Sequence, residues 1–213
     1  MNIKKTTLYT GLLILLISVS CISYFFSGNI PRKTIPDELV AVIRNQPVKL
    51  KPFQLTDQNN KAFTIKQLQH KQSLLFFGYT SCPDICPTTL SSLNNMLAIL
   101  QQKNPGTSPQ VIFVSVDPER DTIEKLNSYL HYFNQDFIAL TGNMDEIDRF
   151  TKQFGAGYFV EKNNSDDNYL ISHASSIFLV DQNLRLVAAF SPPHYPKILA
   201  EQYVEVLKFI EHN

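Results

Sequence analysis

Two runs with almost no polar interruption dominate the hydrophobic pattern. Ser73–Thr80 (SLLFFGYT) and Gln110–Asp117 (QVIFVSVD) have strand length, and both predict strands buried on two faces. Between them Leu90, Leu93, Met96, Leu97 and Leu100 recur at helical spacing, which predicts a helix over Thr88–Gln102. A second helix is expected over Thr122–Phe133, with Asp121 as its N-cap and Glu124 three residues on. Phe137–Thr141 reads as a short strand, and Met144–Phe154 as a helix stopped by Gly155. Ser176–Asp181 and Leu184–Phe190 are strands turned at Gln182-Asn183, and Lys197–Ile210 closes the chain as an amphipathic helix. Before all of these, Phe53–Thr56 and Ala62–Ile65 alternate around the polar turn Asp57–Lys61, as a hairpin does. The order βαβαβ(α)ββα predicts an α/β fold, thioredoxin-like, with an added N-terminal β-hairpin.

The N-terminus has a different pattern. No charge falls between Lys5 and Arg32, and Leu8–Phe26 (LYTGLLILLISVSCISYFF) is mostly aliphatic or aromatic. At 1.5 Å per residue this run spans about 28 Å, close to a bilayer's hydrocarbon thickness. Lys4 and Lys5 on one side leave the N-terminus in the cytoplasm and export the rest. The leading expectation is an uncleaved single-pass anchor in a bacterial inner membrane, with the domain facing the periplasm. A cleaved signal peptide and a lipoprotein signal ending at Cys21 are the alternatives, and all three export the domain. Pro31, Pro36, Pro47 and Pro52 punctuate the stretch that follows, where no period persists. The expected organisation is therefore 1–28 anchor or signal, 29–52 linker and 53–213 domain.

Composition narrows the functions available. Lys+Arg and Asp+Glu are both 19, so the formal net charge is +0, which argues against a nucleic-acid binder. With 44% hydrophobic residues in 213, one ordinary core can form. Three cysteines are too few for a disulfide scaffold. In an oxidising compartment, however, a close cysteine pair is chemically live.

Such a pair lies just past the first buried strand, in Ser81-Cys82-Pro83-Asp84-Ile85-Cys86-Pro87. Pro87 favours Cys86 as the N-cap of the following helix, and Pro83 stiffens the turn. Both thiols then sit at the positive end of a helix dipole, where thiolate is favoured. Thiolate serves a soft metal ion and disulfide exchange equally, and the motif alone does not choose between them. His173 is the candidate third ligand. In a thioredoxin-like fold the loop entering the second hairpin lies against the cysteine turn, and oxidoreductases of that fold carry a cis-proline there. Leu170–Ser175 (LISHAS) has no proline but does have an imidazole, which favours metal over exchange. His70, His131, His194 and His212 have no such placement and read as surface residues.

Phe77–Pro87 (FGYTSCPDICP), Val116–Thr122 (VDPERDT) and His173 before an aliphatic strand together resemble the Sco/SenC family of membrane-anchored copper chaperones. The resemblance runs from about Phe53 to the C-terminus. It implies one copper ion, Cu(I) or Cu(II), on Cys82, Cys86 and His173, and a role in assembling the CuA centre of cytochrome c oxidase. The implied partners are the oxidase subunit carrying CuA, with another copper carrier or a thiol reductase. Cys82 and Cys86 would also form a redox-switchable disulfide. Many members have an aspartate before the histidine, where this chain has Ser172, so a carboxylate tuning the imidazole is not expected from that position. Asp117, Glu119 and Arg120 read as a loop and capping element, since hard carboxylates add little to a soft-metal site. The second function class is an exported thiol-disulfide oxidoreductase or thiol peroxidase using the two cysteines without metal.

Overall fold

The structure, a computed structural model, describes residues 13–21, 35–103, 106, 108–161 and 169–211. The chain divides into a unit of residues 1–34 with Asn213 and a unit of Ile35–His212. In the first unit, residues 13–21 form helix α1, with their side chains exposed. The flanks of the expected Leu8–Phe26 span lie outside the described residues. Among those described, no helix is long and apolar enough to cross a membrane.

The second unit is built on an eight-stranded sheet. Its strands are β1 (Ile43–Lys49), β2 (Gln54–Asp57), β3 (Ala62–Thr64), β4 (Ser73–Gly78), β5 (Gln110–Ser115), β6 (Ile138–Thr141), β9 (Ile177–Val180) and β10 (Arg185–Phe190). Their spatial order is β1-β10-β9-β4-β5-β6-β2-β3. Pairing is parallel from β4 through β5 to β6 and antiparallel elsewhere. The parallel pairs require crossovers, which α2 (Ile85–Lys103) and α3 (Ile123–Phe133) supply; α4 (Met144–Phe154) and α5 (Pro196–Glu211) complete the cover. This is the thioredoxin-like arrangement, with the β2–β3 hairpin added beside β6 in the register Leu55↔Phe63.

β4 reads as an unbroken apolar run because helices cover both of its faces, and all six of its residues are buried. Phe77 points to one face, where Phe150 and Phe154 of α4 and Phe178 of β9 meet it edge-on or tilted. Phe76 and Gly78 point to the other, against Phe113 and the start of α2. The sheet thus has a packed aromatic face and a face reserved for the cysteine turn. α4 begins at Asn143, whose side chain accepts from Glu146 N in a capping box, and ends at Gly155 in the left-handed region (φ 66°).

Three expectations are corrected here. The 29–52 linker fails from about Ile35 onward. Leu39, Val42, Ile43 and Leu50 are buried, and Ile43–Lys49 is the edge strand β1 on β10. An edge strand exposed from Asn45 through Lys49, with Pro47 in it, leaves no alternating signature. The N-cap of α3 is Thr122, which accepts from Lys125 N at 3.2 Å, while Asp121 is buried and bonded elsewhere. Finally, Leu170–His173 is a strand, β8, paired antiparallel with β7 (Tyr158–Glu161) in a separate two-stranded sheet. Both strands are short and half-exposed, so neither period shows.

Candidate metal centre

The carboxyl end of β4 delivers the chain into the cysteine turn, which is where α/β sheets place their ligands. Helix α2 starts at Ile85, so Cys86 lies within its first turn and not at the N-cap expected for it. The first intrahelical bond runs from Thr88 N to Asp84 O at 3.2 Å. The amides of residues 84–87 have no helical acceptor, so Pro87 sacrifices no hydrogen bond at its position.

Cys82 and Cys86 are 9% and 0% exposed. His173 comes from the end of β8 and is half-buried, its ring edge-on to Phe76 (5.8 Å) and Tyr79 (6.0 Å). One ligand atom from each of the three residues lies within 4.8 Å of the other two. His173 Nε2 is 3.4 Å from Cys86 Sγ, and its Nδ1 is 3.1 Å from the Ala174 carbonyl. With Nδ1–H donating to that carbonyl, Nε2 keeps the lone pair a metal requires. Ser172 is exposed and donates to the Glu161 carboxylate, so the partner holding the ring is a backbone carbonyl.

The two thiols are electrostatically unequal. A hydrogen bond from the Cys86 thiol holds Cys82 down to about 3, against the upward push of burial and with help from the backbone N–H groups of Asp84 and Cys86. Cys86 is driven above the ordinary thiol range, because it keeps the shared proton, is buried, and faces the Cys82 charge. At neutral pH the pair is one thiolate and one thiol sharing a proton. A soft metal ion would displace that proton and gain two sulfurs and an imidazole, a donor set that suits copper and zinc. Gly78 makes room for this: a Cβ there would sit 2.6 Å from Cys86 Sγ and 2.8 Å from Phe113 Cε2.

All three residues read from the sequence as metal ligands therefore meet. Among the other histidines, His194 departs from a surface role. It is half-buried, donates from Nε2 to the Ser175 carbonyl at 2.8 Å, and is lowered by burial. His212 lies outside the described residues. Sequence reasoning missed Tyr79, Thr80 and Tyr169 as supports of the site, since each acts through partners more than 40 positions away.

A thioredoxin-like domain with a buried Cys-x-x-x-Cys turn facing a histidine defines the class, a thiol fold adapted to hold a soft metal. The SCO1/SenC family profile matches residues 42–208, and the chain belongs to that family. A SCO2-like protein of Rickettsia prowazekii is 38% identical over 209 residues, covering 97% of each chain. Among solved structures, Arabidopsis thaliana ScoI with copper bound matches with a TM-score of 0.70 at 30% identity, covering 74% of this chain and 97% of its own. Bradyrhizobium japonicum ScoI with copper bound matches at 0.65 and 34%, covering 76% and 99%.

Proposed function

We propose that this protein is a copper metallochaperone for cytochrome c oxidase assembly, and that copper is its cargo, held by Cys82, Cys86 and His173. The observation that carries this reading is the convergence of two sulfurs and an imidazole nitrogen within 4.8 Å, supplied by a preformed turn and a separate strand. Two soft thiolates and an imidazole with an open side suit an ion that must later be handed on. Copper-bound relatives of the same fold and 30–34% identity support the choice of copper over zinc. On this reading the acceptor is the oxidase subunit carrying CuA, which receives copper from the site or is reduced by it. The Cys82–Cys86 pair toggles between a dithiol that binds and a disulfide that does not. Leu8–Phe26 tethers the domain to the outer face of the inner membrane.

The unequal thiols favour a second reading, exported thiol-disulfide exchange, since a buried-partner thiolate such as Cys82 is also a nucleophile. His173→Ala separates the two. Metal delivery needs the imidazole, so cells carrying only this variant should lose oxidase activity at limiting copper while the purified protein still forms a reversible disulfide. Full oxidase activity in those cells would overturn the copper reading in favour of exchange.

A further inference from the structure

The Val116–Thr122 segment contributes no ligand, yet its side chains reach both halves of the site. Asp121, 1% exposed, accepts from Thr80 N (3.0 Å), from the Thr80 hydroxyl and from the Ser115 hydroxyl (2.7 Å). Those contacts fix the residue two before Cys82. Asp117, 2% exposed, faces the other way and accepts from Arg120 Nε (2.5 Å) and Tyr169 OH (2.7 Å). Arg120 also donates from a terminal nitrogen to the Tyr169 carbonyl (2.9 Å), and its guanidinium carbon stacks 3.6 Å over the Tyr169 ring. Tyr169 is the residue before β8. Two residues further, Ile171 N donates to the hydroxyl of Tyr79, whose ring lies 5.6 Å from the same guanidinium. His173 ends this strand.

We propose that Arg120 is a positioning residue for His173. It clamps the entry to β8 against the β5–α3 loop and so sets where the imidazole meets the two sulfurs. The proposal rests on the copper reading above and deepens it. Geometry gives the reason for arginine. One planar fork must satisfy a buried carboxylate, reach a carbonyl and stack on a ring, whereas an ammonium is a point charge able to meet only the first demand well. The cysteine half has its own anchor in Asp121, so loosening Arg120 should disturb the nitrogen ligand and spare the sulfurs. Cu(II), which leans on the imidazole more than Cu(I) does, is then the sensitive probe.

Arg120→Lys keeps a positive charge beside Asp117, which avoids stranding a buried carboxylate, and removes the fork. Tyr169→Phe removes a single hydroxyl and serves as the milder second variant. The full chain, reduced, is titrated with Cu(II) and separately with Cu(I), with and without His173→Ala. Amide exchange of Ile171 and His173 is followed in the metal-free protein. The expected result is Cu(II) binding weakened about 10–100-fold with a shifted sulfur-to-copper absorption band. Cu(I) binding should stay within ~3-fold, and the Ile171 and His173 amides should exchange faster. Combined with His173→Ala, neither variant should weaken Cu(II) further, because both act through the same nitrogen. Wild-type Cu(II) affinity and spectrum in Arg120→Lys would overturn the proposal, as would losses that add to that of His173→Ala. Failure of the wild-type chain to bind copper would sink the copper reading instead. In that event the amide exchange decides the clamp: faster exchange upholds it, and unchanged exchange removes it.

Discussion

Gly78→Ala tests the packing of the site with a single methyl group. The added carbon would lie 2.6 Å from Cys86 Sγ and 2.8 and 3.3 Å from two ring carbons of Phe113. Neither neighbour can yield cheaply. Cys86 is fully buried in the first turn of α2, and Phe113 is fully buried in β5 and packed on Phe76 and Tyr129. Overpacking of this kind costs about 1–3 kcal/mol. Replacing glycine also stiffens the unfolded chain, which returns about 0.4–1 kcal/mol at a position without positive φ. The net expectation is a loss of about 1–2 kcal/mol, or about 2–8 °C in the melting temperature of a unit this size. Ordinary contact needs 3.4 Å or more, so relief demands nearly an ångström of movement. Cys86 Sγ already sits 3.4 Å from His173 Nε2, and copper binding should weaken together with stability. Thermal melts followed by circular dichroism, alongside a Cu(I) competition titration, read both effects on one sample. Wild-type melting temperature and affinity in Gly78→Ala would refute the tight approach of Cys86 to β4.

Two further predictions bear on the same turn. Cys82 in the reduced, metal-free protein should react with iodoacetamide at a rate nearly independent of pH between about 5 and 8, because its pKa is near 3, while Cys86 stays unreactive. The depressed thiol contributes stability in full above the ordinary thiol range, and that contribution is lost as pH falls toward about 3, which acid titration of the melting temperature checks. Asp121→Asn should lower stability by about 1–3 kcal/mol in denaturant melts, since an amide cannot accept from Thr80 N, Thr80 OH and Ser115 OH together.

The strands β2 to β6, β9 and β10 and the cysteine pair can be read from the sequence because each carries a local signal, whereas His173 is placed only by the expected fold and the lack of a proline in its segment. β4 and β5 are continuous apolar runs, α4 is bracketed by Asn143 and Gly155, and the cysteine spacing is short. What escaped was whatever depends on distant partners or on an exposed edge. β1 is exposed from Asn45 through Lys49 and contains Pro47, so only its pairing with β10 reveals it. The strand carrying His173 is four residues long and held by Tyr79 and Tyr169 rather than by its own pattern. Asp121 has the residue type and spacing of a cap, but burial and bonds to Thr80, 41 positions earlier, give it a different task. Thr122 next to it has the hydroxyl and takes the cap. Sequence places Cys86 at the helix boundary from Pro87, yet proline is equally tolerated two residues into the first turn, where its missing N–H costs nothing.

The central claim is that Cys82, Cys86 and His173 form one copper site that exists only while the cysteines are reduced. The most direct measurement is metal content after dialysis against equal copper and zinc, for the fully reduced chain, the oxidised chain and His173→Ala. One copper and little zinc are expected per reduced chain, almost no metal on the oxidised chain, and much reduced Cu(II) on His173→Ala while its disulfide still forms. Copper retained in full by the oxidised chain, or zinc outcompeting copper on the reduced one, would contradict that claim.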